Sequence, residues 1–511
     1  MTAKDKVQRA AAGVAFDGLY KYLIKNPQEN LVKLVDKVES FAGGTFPERM
    51  MKAFREGAQD PNNVWTQLAM RVLRDVDQQA LKKMMLAIGL GVINGTREVR
   101  KNREIYGCNL PFIILFDPTS ACNMHCKGCW SGEYGHKHSL TYEEMESIVS
   151  QSHAFGSRFY MLTGGEPLLR KKDILKLCEA YPDCAFLAYT NSTLVDQQLC
   201  DDIKRVGNLT LALSIEGTPE SNDARRGTGS YDTIMRAMDL LKANKCLFGM
   251  SVCYTRDNIP AVTSDEFMQK MVEKGVVYSL FFNYMPVGSD ASAELIPTPE
   301  QRKYMYSWLR RTRNSQSGNP LFVMDFQNDA EYVGGCIAGG RNYFHINSAG
   351  DMEPCVFIHY SDSNIRTHSL VDALRRPLFQ QFYHNQPFND NHLRPCPLLE
   401  NPEYLRKIVA ESGAKSTDLC APESAETVCA RCDAFAAAWA PEADALWNST
   451  KHPNPKTQFY RDTPEGKATL AAQFGCAGCA DCTACASHDD EPQIQEIVGI
   501  DLPVVPQNKK S

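Results

Sequence analysis

The chain is 511 residues long, 43% hydrophobic, and carries a formal net charge of −6. That length allows two or three domains, and the acidic balance leaves no general basic surface, so no nucleic acid partner is expected. No run approaches the ~18 uninterrupted apolar residues of a transmembrane segment.

Nineteen cysteines would suggest disulfides in a secreted protein. Met1-Thr-Ala-Lys-Asp-Lys-Val lacks the apolar core of a secretory leader, and the cysteines cluster at metal-ligand spacings. The expected location is the reducing cytoplasm.

Residues 1–108 read as a helical N-terminal region, with apolar positions three and four apart, as in Leu31, Leu34, Val35, Val38 and Phe41. Met84-Met-Leu-Ala-Ile-Gly-Leu-Gly-Val-Ile93 is too short to span a bilayer and reads as a buried helix. From residue 111 the pattern changes. Strands are predicted at 111–117, 158–163, 184–190, 209–215, 247–254 and 277–284, with helices at 141–155, 196–206, 231–244 and 265–274 between them. The fold class is α/β, and six parallel strands joined by crossover helices describe a partial (β/α)6 TIM-type barrel, whose working groups belong at the C-terminal strand ends.

The first strand runs into Thr119-Ser-Ala-Cys-Asn-Met-His-Cys-Lys-Gly-Cys-Trp130, which places Cys122, Cys126 and Cys129 in a CxxxCxxC loop. Three thiolates can hold three corners of a cubic iron-sulfur cluster and leave one iron open. The competing reading is structural zinc, which normally completes its set with a fourth Cys or His at short range, for which His125 is a candidate. The second strand ends in Gly164-Gly-Glu-Pro-Leu-Leu169, a glycine turn bearing one carboxylate.

The two segments together resemble the radical S-adenosylmethionine (SAM) superfamily. The resemblance implies a 4Fe-4S cluster on Cys122, Cys126 and Cys129 whose free iron is chelated by SAM, and reductive cleavage of SAM to a 5′-deoxyadenosyl radical. It implies that Gly164 and Gly165 let the methionine part of SAM approach, and that Glu166 accepts a hydrogen bond from its amino group. Tyr189-Thr-Asn-Ser-Thr193 resembles the family's third-strand turn, with Asn191 near the cofactor. Leu213-Ser-Ile-Glu-Gly217 is similar to its fourth-strand segment, where Ser214 would touch SAM and Glu216 would face the cavity. In Asn222-Asp-Ala-Arg-Arg-Gly-Thr-Gly-Ser-Tyr-Asp232, Arg226 stands as the partner of the SAM carboxylate; the alternative is that Arg225 or Arg226 merely caps a surface loop. One departure is Gly128, where the family often has an aromatic residue, so that Trp130 or Met124 is left to shield the cluster.

Beyond the barrel, Cys336, thirteen residues, Gly350, four residues and Cys355 match the opening of the SPASM extension, a cysteine-rich module with auxiliary iron-sulfur clusters. Tyr343–Ile346 and Glu353–Ile358 alternate like the arms of a hairpin turning at Ala349-Gly350, and Cys396 is the candidate third ligand. Cys420, Cys429 and Cys432 depart from the usual continuation. Cys476, Cys479, Cys482 and Cys485 form a dense ferredoxin-like run that suits a metal. One to three auxiliary clusters are expected. The tail after Ser487 is acidic, then Pro-rich. Cys108, Cys178, Cys184, Cys200, Cys246 and Cys253 read as small apolar groups, and His345 and His359 are the histidines to test.

The domains expected are 1–108, helical; 109–290, the barrel; 291–435, the SPASM-like module; and 436–511, a cysteine-rich segment and tail. The expected function is radical hydrogen abstraction from a peptide or small molecule, with auxiliary clusters relaying electrons and a donor such as flavodoxin or ferredoxin. A lipid or isoprenoid chain is the alternative substrate. A non-catalytic iron-sulfur electron carrier or a zinc-stabilised binding protein is the different class, and neither has use for Gly164–Leu169 or Arg226.

Overall fold

Apolar side chains alternate between two faces along the central strands. Ile114 and Phe116 of β1 (Ile113–Thr119) enter the main core, whereas Ile113 and Leu115 face the other way. The computed structural model describes residues 3–41, 48–288, 290–316 and 318–449. The strands following β1 are β2 (Phe159–Gly164), β3 (Ala185–Thr190), β4 (Leu209–Ser214), β5 (Phe248–Tyr254), β6 (Tyr278–Asn283), β7 (Phe322–Asp325), β8 (Tyr343–Ile346) and β9 (Met352–Glu353). They form one sheet in the order β7-β6-β5-β4-β3-β2-β1-β8-β9. Every neighbouring pair from β7 to β8 is parallel, and only β8 and β9 run antiparallel. Crossover helices such as Tyr142–Phe155 and Ser230–Ala243 cover the outer face with Met145, Ile148, Ile234 and Met238. The inner face, with Leu115, Met161, Leu187 and Leu280, is left toward the barrel interior.

All six predicted strands are present, with ends shifted by up to two residues. The sheet, however, does not stop at residue 290. Phe322–Asp325 extends it beside β6, and Tyr343–Ile346 pairs in parallel with β1, from Ile113↔Tyr343 to Phe116↔Ile346. The hairpin expected at Ala349-Gly350 exists, but its second arm is only two residues long. Four-residue strands carry too little alternation to be read alone, and their partners lie far off in sequence.

The N-terminal region is helical from Ala3–Lys25 to Ile93–Tyr106. The segment expected as a buried helix differs. It includes a π-helical stretch, Ala87–Val92, in which Ala87 and Gly91 are buried while Ile88 is exposed, as are Met85 before it and Ile93 after it. The wider turn shifts the register of the helix face by one residue. No described helix is long and apolar enough to cross a membrane. A second core forms beyond the sheet, where the helices Pro377–Asn385, Pro402–Ser412 and Ala425–Ser449 bury Phe382, Leu405 and Trp439.

Candidate active site

β1 and β2 deliver the cysteine loop and the glycine turn to the same end of the sheet, where backbone bonds fasten them together. Gly165 N–H donates to Thr119 O at 3.0 Å and Glu166 N–H to Ala121 O at 2.8 Å. A Cβ on Gly165 would lie 2.1 Å from Ala121 O. The glycine is therefore required first by the cysteine loop pressing on it, an account that adds to the expected approach of a ligand. Gly128 has a positive φ of 64°, and a Cβ there would stand 2.9 Å from the Tyr284 ring. The space that a side chain at residue 128 would take is filled by the Tyr284 ring.

Glu166 is buried, and its carboxylate is already engaged. It accepts from Leu168 N–H at 3.0 Å, the Thr190 hydroxyl at 2.8 Å and Asn191 N–H at 2.8 Å. Burial pushes its pKa up to about 7, against the pull of those donors. Here Glu166 caps the helical turn Pro167–Arg170 and ties β2 to β3. Asn191 donates to Asn123 Oδ1 at 2.8 Å, with its Nδ2 3.9 Å from Cys122 Sγ.

Glu216 corrects the expectation that it faces the cavity. Its side chain is fully buried, and its Oε1 accepts from Arg225 Nη1 at 2.5 Å and from Arg226 Nε and Nη2 at 3.0 and 2.7 Å. Both arginines, with Ser214, line the cavity instead. One carboxylate against two guanidinium groups leaves one positive charge over. The buried Arg225 Nε has no hydrogen-bond partner, and the Arg225 backbone carbonyl accepts from Lys127 N–H in the cysteine loop at 2.9 Å. A ligand carboxylate answers both the spare charge and the spare donor, so the site fits the amino-acid part of SAM.

The cavity, about 220 Å³, runs from Gly128 and Trp130 of the cysteine loop to Cys336, Cys355 and Cys396. Its walls are mainly apolar and aromatic: Ile113, Leu115, Met161, Tyr189, Phe282, Phe326, Tyr343 and Phe357. Phe282 and Phe326 stack at 4.6 Å. Thr163, Ser251 and Gln327 add polar points. Cys253, read from sequence as structural, also opens here, close to Arg225 and Cys129 in charge terms.

The structure thus brings Cys336, Cys355 and Cys396 to one cavity wall. Cys355 Sγ lies 2.8 Å from the Tyr343 hydroxyl and 3.5 Å from Phe357 N, and Cys396 Sγ is 3.4 Å from Leu398 N and Leu399 N. Cys420, Cys429 and Cys432, whose spacing departs from the usual continuation, do not line this cavity. Cys429 and Cys432 are buried in the second core among Val428, Phe435 and Trp439, and Cys420 is exposed. Cys476, Cys479, Cys482 and Cys485 lie outside the described residues. Among the described residues, only His153, Asp183 and Cys184 bring three ligand-type atoms within 4.8 Å of one another. Neither cysteine trio is drawn in as thiolates about 2.3 Å from one zinc ion would be.

Behind Trp130 lies a buried network that the sequence did not announce. His345 is bonded through Nε2 to Asp117 Oδ1 at 3.0 Å and through Nδ1 to Glu353 Oε2 at 2.6 Å. Tyr134 donates to Glu353 Oε2 at 2.8 Å, and Thr417 to Oε1. Burial pulls the His345 pKa down, but the Asp117 charge and the two hydrogen bonds outweigh it and lift it to about 10. An imidazolium donates to a carboxylate on either side. The Trp130 ring meets His345 at 5.7 Å and Phe357 at 6.4 Å.

Residues 116–271 match the family model of the radical SAM superfamily. An AdoMet-dependent heme synthase of Oleidesulfovibrio alaskensis is 25% identical over 326 residues, covering 58% of this chain and 82% of that protein. The mycofactocin maturase MftC of Mycobacterium tuberculosis is 26% identical over 295 residues, covering 53% and 74%. Among solved structures, Streptococcus suis SuiB bound to precursor peptide SuiA gives a TM-score of 0.45 at 16% identity, over 54% of this chain and 67% of that one. The matched span begins in β1 and takes in the cysteine loop, the glycine turn and both arginines, so residues 116–271 form a radical SAM domain.

Proposed function

We propose that Cys122, Cys126 and Cys129 hold the 4Fe-4S cluster of this enzyme, that SAM binds beside it, and that hydrogen is removed from a peptide or small-molecule substrate in the cavity. When bound, the cluster and SAM supply a 5′-deoxyadenosyl radical by reductive cleavage of a carbon–sulfur bond. Arg225 and Arg226 grip the SAM carboxylate, and Glu216 beneath them fixes the angle of both forks. Ser214 borders the same space, and Asn191 stands beside Cys122. Phe282, Phe326 and Tyr189 exclude water and offer flat faces to an apolar or aromatic group of the substrate. Cys336, Cys355 and Cys396 hold an auxiliary iron-sulfur cluster at the far wall.

The observation that carries this reading is a single cavity bordered at one end by the cysteine loop and the arginine pair, and at the other by a second thiol trio. The names of the relatives, a heme synthase and a peptide maturase, agree with a peptide or small-molecule substrate. The described cysteines are all free thiols, which suits a reducing compartment such as the cytoplasm and an electron donor of the flavodoxin or ferredoxin kind.

The test is anaerobic reconstitution with iron and sulfide, then dithionite and SAM. Methionine and 5′-deoxyadenosine are expected from the native chain and not from Cys126→Ala. Strong cluster absorption with no SAM cleavage under any reductant would leave an electron carrier instead.

A further inference from the structure

Tyr343 opens β8 opposite Ile113 of β1 and turns its phenol onto the cavity wall. Its hydroxyl is 2.8 Å from Cys355 Sγ, the shortest approach to Cys355 or Cys396, while Cys336 has donors of its own in Gln386 and Ala338 N–H. The other donors on Cys355 and Cys396 are backbone N–H groups, which the fold fixes whatever the side chains. A metal-bound thiolate has no proton and can only accept, so the phenol donates. A donor at a cluster sulfur stabilises the state with more negative charge, the reduced one, and so raises the reduction potential.

The cysteine loop on β1 has no matching arrangement at its closest polar contacts. The Ser131 hydroxyl stands 3.4 Å from Cys129 Sγ, but its single proton has a carbonyl partner in Gly164 O at 3.0 Å. Asn191 Nδ2 is 3.9 Å from Cys122 Sγ and donates to Asn123 at 2.8 Å.

We infer that Tyr343 is a positioning residue that sets the reduction potential of an auxiliary iron-sulfur cluster on Cys336, Cys355 and Cys396, holding it above the value the thiolates alone would give. The inference rests on the reading of those three cysteines as cluster ligands.

The experiment uses the full chain, anaerobically reconstituted, in a background with Cys122, Cys126, Cys129, Cys476, Cys479, Cys482 and Cys485 all replaced by Ala, which leaves the site of Cys336, Cys355 and Cys396. Its signal is followed by an EPR-monitored redox titration, with and without Tyr343→Phe. That substitution removes one oxygen and keeps the ring, so iron content and far-UV circular dichroism are expected to stay unchanged. The midpoint potential is expected to move down, and the iron–thiolate stretching bands in the resonance Raman spectrum to shift. An unchanged midpoint at full iron content overturns the inference and leaves the ligand assignment standing. If the background protein binds iron, but equally well with Cys336, Cys355 and Cys396 replaced, or binds none, the ligand assignment falls and the inference with it.

Discussion

Glu216 sets one buried negative charge between two guanidinium groups. Removing it in Glu216→Gln leaves two like charges in contact. The expected cost is about 3–5 kcal/mol, read as a drop in the denaturation midpoint. Arg225→Lys keeps the charge but loses the fork, and SAM binding by equilibrium dialysis should weaken about tenfold, a change of about 1.4 kcal/mol. His345 gives a pH test. Its folded pKa of about 10 lies above the unfolded value of about 6.5. Its contribution is thus complete below about pH 6.5 and is lost as pH rises through about 10. The native chain should lose denaturant resistance over that window, and His345→Gln should show a flatter slope there. At this scale the meeting of the cysteine loop with the glycine turn was legible because both follow neighbouring strand ends, whereas the capping of Pro167–Arg170 by Glu166 was not the role expected of it. Asp117 was not legible, since it reads as the end of an apolar run and its partner His345 lies 228 residues away. Arg225 was weighed only as a surface cap, because sequence gives no sign of which arginine keeps a free donor.

At the scale of elements, the contact between the helical N-terminal region and the barrel depends on two glycines one turn apart. A Cβ on Gly91 would sit 2.0 Å from Asp183 O, and one on Gly95 would sit 2.2 Å from Gly156 O. Gly95→Val therefore forces the helix off the sheet's crossover loops. A loss of about 1–3 kcal/mol and faster limited proteolysis of residues 3–106 are expected, with iron binding retained. The six barrel strands were readable from alternation, since each has six or seven residues. The π-helical turn was hidden, because two glycines in an apolar run give the same pattern whether the helix is regular or widened.

Over the whole molecule, the sheet takes its edge strands from beyond the barrel: β7 covers β6, and β8 covers β1. A chain cut before residue 320 would expose both edges of a parallel sheet, an arrangement that seeds association between copies. Such a truncation is expected to elute as aggregate on size exclusion, whereas the full chain stays dispersed. This division of labour was not legible, because the boundary suggested by the cysteine pattern follows function and the boundary of the sheet follows hydrogen bonding.

The pairing of β1 with β8 sets the strand that leads into the cysteine loop beside the strand that lies between Cys336 and Cys355. Tunnelling between metal centres depends steeply on their separation, and for the two clusters proposed above part of that gap would be inherited from strand spacing.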